Sequence, residues 1–209
     1  MLNGLYVITD DRLTPKDSVL ASIKNALDGG AKIVQLRDKI SNDEQIESLV
    51  LDIQNICRSY KAKFILNDRV KLAIKLQCDG LHVGKSDYEN IEFIRKNFKG
   101  ILGVSCYDSI AQAKKMQNLK VDYVAFGSMF NSPTKPKSKT IPLKILSQAK
   151  EELSIPVCAI GGINNKNIDT VMLQNPDMIA VISDIWKSNN IKEQSKFYSN
   201  YFKRISNEM

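Results

Sequence analysis

Short apolar runs rich in β-branched and aromatic residues recur along the chain at 5–8, 33–37, 64–66, 80–83, 101–104, 123–126, 157–160 and 178–182. Between them the apolar positions switch to helical spacing. Ile46, Leu49, Val50, Ile53 and Ile56 follow an i, i+3, i+4, i+7 pattern that puts one greasy face toward a core. The strand runs are apolar almost throughout instead of alternating, as expected where helices cover a parallel sheet. Ser41-Asn42-Asp43 and Asn164-Asn165 read as helix starts, and Gly29-Gly30 as a helix end. Residues 191–205 read as a final amphipathic helix.

Strands alternating with helices imply right-handed βαβ units, and eight repeats favour closure into a barrel. The predicted fold class is therefore α/β, a single (β/α)8 TIM barrel over residues 1–209, with a doubly wound open sheet as the structural alternative. At 209 residues, with 43% hydrophobic and 25% charged content, the chain suits one domain with a sizeable core. The first ten residues carry no leader pattern and no apolar run is long enough to cross a bilayer, so a soluble, cytoplasmic protein is expected. Cys57, Cys78, Cys106 and Cys158 are scattered without the close pairing of a zinc site or redox dithiol, and are expected to be buried and reduced.

Charge narrows the ligand class. A net charge of +7 draws anions such as phosphates, nucleic acid or acidic membranes and alone does not choose among them, but the lysines are dispersed and no basic run interleaves with aromatics, so nucleic acid is not expected. In a barrel of this kind chemistry collects after the strands. The polar residues there are Gln35, Arg37 and Lys39 after the second run, Asn67, Asp68 and Arg69 after the third, and Lys85 and Asp87 beyond His82 in the fourth. Ser105 follows the fifth, Gly127 and Asn131-Ser132-Pro133-Thr134-Lys135 the sixth, Gly161-Gly162 the seventh, and Ile182-Ser183 the eighth.

Asp68 and Asp87 offer hard oxygens to Mg²⁺, which keeps waters and takes remaining ligands from substrate phosphates. Arg37, Lys39 and Lys135 suit a diphosphate. Gly161-Gly162 and Ile182-Ser183 suit a second, monoester phosphate. Plainer readings stand beside these. Asp68 is open to a surface ion pair with Arg69 or to capping the helix from Val70, and Asp87 to capping the next helix. His82, the only histidine, reads as a hydrogen-bonded core residue, and a histidine metal site or Ser-His-Asp triad lacks material. Residues 134–140, rich in Lys and Pro, are expected to form a mobile lid.

The segments Tyr6-Val7-Ile8-Thr9-Asp10, Gln35-Leu36-Arg37-Asp38-Lys39, Ile65-Leu66-Asn67-Asp68-Arg69, Asp79-Gly80-Leu81-His82-Val83-Gly84, Gly103-Val104-Ser105, Asp122-Tyr123-Val124-Ala125-Phe126-Gly127, Pro133-Thr134-Lys135 and Ala159-Ile160-Gly161-Gly162-Ile163 stand in an order and spacing that resembles the thiamine phosphate synthase family. The resemblance implies Mg²⁺-dependent condensation of a pyrimidine diphosphate with a thiazole phosphate. It implies a pyrimidine diphosphate site at Gln35, Leu36, Arg37, Asp38, Lys39, Asn67, Ser105 and Lys135, with Arg37, Lys39, Ser105 and Lys135 in the catalytic role. It implies a thiazole phosphate site at Ser132, Pro133, Thr134, Gly162, Ile182 and Ser183, with Asp68 and Asp87 on the metal. The chain departs from the family pattern at Lys85, at Asn131-Ser132 and in the lead into the last strand. Two alternatives remain open: a sister thiazole tautomerase, whose histidine after the fifth strand is here Tyr107, and a non-catalytic phosphate-binding barrel. The sequence leaves a homo-oligomer open.

Overall fold

The computed structural model describes residues 2–132 and 139–207, the last four as helix backbone. Eight parallel strands close in sequence order into a barrel, the first pairing with the last: β1 (Gly4–Ile8), β2 (Ile33–Leu36), β3 (Lys63–Asn67), β4 (Gly80–Val83), β5 (Ile101–Tyr107), β6 (Tyr123–Phe126), β7 (Val157–Ile160) and β8 (Met178–Val181). Tyr6 stands beside both Ile33 of β2 and Ala180 of β8, so no edge is left open. The open-sheet alternative is excluded.

Around the barrel run α1 (Lys16–Asp28), α2 (Asp43–Ser59), α3 (Val70–Lys75), α4 (Ile91–Asn97), α5 (Ile110–Asn118), α6 (Ile145–Glu152), α7 (Ile168–Met172), α8 (Ser183–Trp186) and α9 (Ile191–Asn207). The predicted start of α2 is a capping box: the Asn42 side chain accepts from the Gln45 amide, and the Gln45 side chain accepts from the Asn42 amide. Gly29 ends α1 as expected. The seventh helix starts later than the Asn164-Asn165 signal. Asn164 and Asn167 are spent on the preceding turn, where both side-chain amides donate to the Gly162 carbonyl. No helix among the described residues is long and apolar enough to cross a membrane.

Strand alternation divides the interior in two. Leu5, Val7, Val34, Leu36, Phe64, Leu66, Leu81 and Val83 face outward into a continuous layer under the helices, which Ile46, Val50 and Ile53 of α2 complete. Tyr6, Ile8, Ile33, Ile65, Tyr123, Ala125, Cys158, Met178 and Ala180 face inward and pack as a separate lumen cluster. All four cysteines are buried and free, and burial pushes the thiols of Cys57, Cys78 and Cys106 up to about 12, which leaves them inert.

The N-terminal end of the barrel is held by a repeated device. An aspartate stands just before each of β4, β6 and β8 and pairs with a cation from a neighbouring helix: Asp79 with Arg58 at 2.9 Å, Asp122 with Arg95 at 2.9 Å, and Asp177 with Lys150 at 2.6 Å. Asp122 and Asp177 also accept the amides of Leu102 and Val157 in the preceding strands. These three aspartates, of which Asp79 and Asp122 lie in the quoted segments, therefore lock strand to helix at the end away from the chemistry.

One close approach inside the barrel allows no side chain. A Cβ at Gly103 would lie 2.0 Å from Tyr123 Cζ, because the phenol ring fills that space. Gly103→Ala is expected to lower stability by about 1–3 kcal/mol through overpacking. The denaturation midpoint measures this, and an unchanged midpoint would show that the ring moves aside freely.

Candidate active site

At the C-terminal end of the strands lies a cavity of about 320 Å³. Gln35, Arg37, Asn67, His82 and Ser105 line one side, and Ser132, Lys139, Ile160, Gly161 and Ile182 line the other. Their inward aim follows from strand parity, since Tyr6, Ile33 and Ile65 occupy the same faces deeper in the lumen. Gln35 and His82 are 2% and 8% exposed, so both must satisfy their polar atoms within the barrel.

They do so through each other's neighbours. Gln35 Nε2 donates to Tyr6 Oη at 2.6 Å, Tyr6 Oη lies 2.9 Å from Tyr123 Oη, and the two ring nitrogens of His82 meet Tyr123 Oη at 2.8 Å and Ser105 Oγ at 2.9 Å. Burial raises both phenols far above their ordinary value, so each keeps its proton. Neither tyrosine stands out in an apolar strand run; only the alternation of inward and outward positions reveals them.

Other residues place the rim. Buried Thr9 accepts the Arg37 amide at 2.9 Å, which sets the backbone that carries the guanidinium to the cavity. β5 runs to Tyr107, beyond the predicted end, and a register shift between Ser105 and Tyr107 turns Tyr107 to the cavity mouth. Tyr88, in the 3-10 turn Lys85–Asn90, donates to the Ser105 carbonyl at 2.6 Å and anchors the turn that carries Asp87.

The run 35–39 divides. Gln35 and Arg37 line the cavity, whereas Leu36 packs in the outer core. Asp38 is consumed by its own loop: its carboxylate accepts from the amides of Ile40 and Ser41 and from the Ser41 hydroxyl, 2.7–2.9 Å away. Any contact of Leu36 or Asp38 with a ligand would come from the backbone. Lys39 lies outside the cavity lining, with its ammonium on the Asp68 carboxylate.

Asp68 takes a left-handed backbone, φ 63°, at the end of β3, and its amide donates to the His82 carbonyl at 2.8 Å. It neither pairs with Arg69, whose partners are Asp43 and Asp38, nor caps α3, which has no side-chain cap. Asp87 caps neither the 3-10 turn nor α4, and accepts from Ser86 Oγ at 2.8 Å. The capping and Arg69-pairing readings of these carboxylates are thereby removed. Among the described residues no three His, Cys, Asp or Glu side chains gather around one point. Mg²⁺ needs no such cage, because one or two carboxylates, waters and substrate phosphates complete it. Asp68, just after β3, and Asp87, in the 3-10 turn after β4, offer hard oxygens suited to that donor set, although neither lines the central cavity.

A second cleft of about 400 Å³ holds Asn131, Gly162, Ser183 and Lys187. Gly162 has φ 66°, and a Cβ there would lie 2.5 Å from the Asn131 carbonyl oxygen, so glycine is required where the chain after β6 passes the chain after β7. Ser183 opens α8, which the Trp186 indole ties to the Ile8 carbonyl at 2.6 Å. Pro133, Thr134 and Lys135, and most of the expected lid, lie outside the described residues. Lys139, from that same stretch, lines the central cavity, a cation the motif reading did not single out.

A model of the thiamine monophosphate synthase family matches residues 5–185. The chain belongs to that family. A thiamine-phosphate synthase of Wolinella succinogenes is 43% identical over 186 residues, covering 88% of this chain and 86% of the relative. One from Nitrosococcus oceani is 36% identical over 203 residues, covering 96% and 93%. The solved thiamine phosphate pyrophosphorylase of Pyrococcus furiosus superposes with a TM-score of 0.85 at 32% identity, covering 97% of this chain and 96% of that one. The match to the thiamine monophosphate synthase family thus spans nearly the whole barrel.

The Asp38 loop yields a test of its own. Burial alone would raise this carboxyl, but the Ser41 amide and hydroxyl, the Ile40 amide and Lys16 outweigh it and hold the carboxyl below its ordinary value. Asp38→Ala is expected to cost about 2–3 kcal/mol by stranding charge-assisted hydrogen bonds. The deficit should be full above the ordinary carboxylate value of about 3.9 and close as pH falls through the lowered native value. Urea midpoints from pH 7 downward measure it, and a pH-independent deficit would assign the loss to packing.

Proposed function

We propose that this transferase joins 4-amino-5-hydroxymethyl-2-methylpyrimidine diphosphate to 4-methyl-5-(2-phosphoethyl)thiazole, or its 2-carboxylate, giving thiamine monophosphate and diphosphate. The observation that carries this reading is the pairing of two spaces at one rim. A cavity sized for an aromatic ring has an amide, a hydroxyl and a guanidinium along one side, and beyond Gly161 a separate cleft holds Gly162 and Ser183. A planar heterocycle with a diphosphate tail suits the first, and a monoester phosphate suits the second.

The bond from the pyrimidine methylene carbon to the diphosphate oxygen breaks, with its electron pair leaving on diphosphate. The thiazole nitrogen then supplies the pair for the new C–N bond to the pyrimidinylmethyl cation. Gln35, Asn67 and Ser105 orient the pyrimidine. Arg37, Lys39 and Lys135 neutralise the charge that grows on the leaving oxygens, and the thiazole phosphate is held between Ser132 and Ile182 of the cavity wall and Gly162 and Ser183 of the cleft, with Pro133 and Thr134. Mg²⁺, held by Asp68 and Asp87, would add electrostatic stabilisation of the departing diphosphate. Lys39 already sits on Asp68, so the two hold one another at the rim before substrate arrives. The substrates are small and soluble, and together with the reduced, buried cysteines they support a cytoplasmic location.

Purified protein mixed with both substrates and Mg²⁺ is expected to release thiamine monophosphate and diphosphate in equal amounts, and folded protein that forms neither would exclude the reaction. Arg37→Ala should lower turnover by a factor corresponding to about 2–4 kcal/mol, as for loss of a preorganised donor to developing charge. Asp87→Ala should abolish Mg²⁺-dependent turnover while leaving the melting curve intact. Undiminished activity in that variant would take Asp87 out of the metal site.

A further inference from the structure

Gln35, Tyr6, Tyr123, His82 and Ser105 form an unbroken hydrogen-bonded line across the lumen, with contacts of 2.6, 2.9, 2.8 and 2.9 Å in that order. Only its ends, Gln35 and Ser105, belong to the proposed pyrimidine site. The middle three are neither metal ligands nor phosphate groups, and Tyr123 is 1% exposed.

The line has a direction. Each phenol and the Ser105 hydroxyl owns one proton, and a neutral imidazole owns one. With Gln35 Nε2 on Tyr6, Tyr6 gives its own proton to Tyr123, and Tyr123 gives its proton to His82 Nδ1. The imidazole proton then sits on Nε2 and goes to Ser105 Oγ. Ser105 keeps its hydroxyl proton for the cavity, and Gln35 shows the cavity its carbonyl oxygen. Reversing the amide reverses every link: Ser105 then gives its proton to Nε2, and Gln35 shows the cavity an N–H. With a neutral ring, any mixed state sets two protons or two lone pairs against each other at a buried contact, which costs about 1–3 kcal/mol.

We propose that Tyr6, Tyr123 and His82 are positioning residues that couple the amide orientation of Gln35 to the proton of Ser105. A ligand amino group at Gln35 thereby sets Ser105 as a donor toward the bound pyrimidine diphosphate. The proposal rests on the reading that both ends touch an aminopyrimidine. Its consequence is selectivity. A 4-amino group donates to the Gln35 carbonyl and keeps the productive polarity, whereas a 4-oxo group accepts, turns the amide and withdraws the Ser105 proton.

The chain has a single histidine, so ¹⁵N-histidine labelling of the full-length protein reports this ring alone. Ligand-free protein is expected to show a neutral ring protonated on Nε2. Gln35→Glu, whose carboxylate only accepts, should move that proton to Nδ1. Tyr6→Phe keeps the aromatic ring but cuts the line, and should show both tautomers. A doubly protonated ring in the unsubstituted protein overturns the relay, as does one unchanged tautomer in either variant. In turnover, the kcat preference for the 4-amino over the 4-oxo diphosphate should fall about tenfold in Tyr123→Phe, the equivalent of one hydrogen bond. Reduced activity with an unchanged preference would make Tyr123 a packing residue only. The NMR arm needs no turnover: failure to form thiamine monophosphate would remove the reaction and leave the tautomer to decide the relay.

Discussion

A polar side chain that faces into a closed barrel has no bulk water behind it, and that constraint orders the end of this molecule where the cavity lies. Gln35 and His82 enter the lumen because their strands alternate, and each must find partners there. Tyr6 and Tyr123 supply them. Their rings fill the lumen as any large apolar group would, while their hydroxyls meet at its centre 2.9 Å apart. Tyr123 reaches that position only because Gly103 leaves the space its ring crosses. The glycine, the ring and the buried amide are thus one packing solution contributed by separate strands.

Charge is arranged by a different logic at the two ends. Before β4, β6 and β8, aspartates are matched one to one with helix cations, and Asp122 and Asp177 also take a strand amide, so their charge is used to hold the architecture. At the rim the partners are arranged around an opening. Arg37 faces the cavity, Lys39 leans on Asp68, and Tyr88 holds the turn bearing Asp87. A diphosphate bound there, as proposed, would meet Lys39 already held by Asp68, which limits the ordering cost of binding.

The barrel was legible in the sequence because eight apolar runs separated by helical spacing admit few other arrangements, and their boundaries fall within a few residues of the strands. The rim was legible because residues that follow strands in such a barrel gather at one end. Less legible was which of those residues face inward. The runs look uniformly apolar, since the lumen of the lower barrel is as greasy as the helix-facing side, and so Tyr6 and Tyr123 resembled ordinary core. Leu36 and Asp38 sat in a site motif for the same reason: a five-residue run crosses both faces, and adjacency hides the alternation. Asp79 and Asp122, also within motifs, proved to be strand-to-helix locks. The fate of Asp38 depends on a loop turning back on its own carboxylate, a feature invisible to periodicity.

The scarcity of histidine acquires a physical meaning from this arrangement. A reaction that begins with departure of diphosphate needs charge stabilisation and orientation more than it needs a strong base, so a single imidazole need not be reserved for proton abstraction. Both nitrogens of His82 are engaged, one with a phenol and one with the Ser105 hydroxyl. A ring held in this way acts as a fixed connector whose tautomer follows its neighbours. Burial raises the phenols, so the line does not dissipate its polarity by losing a proton. What the lumen contributes to catalysis is therefore orientation carried through bonds the fold must make in any case, since breaking any one of them would strand a polar group in the core.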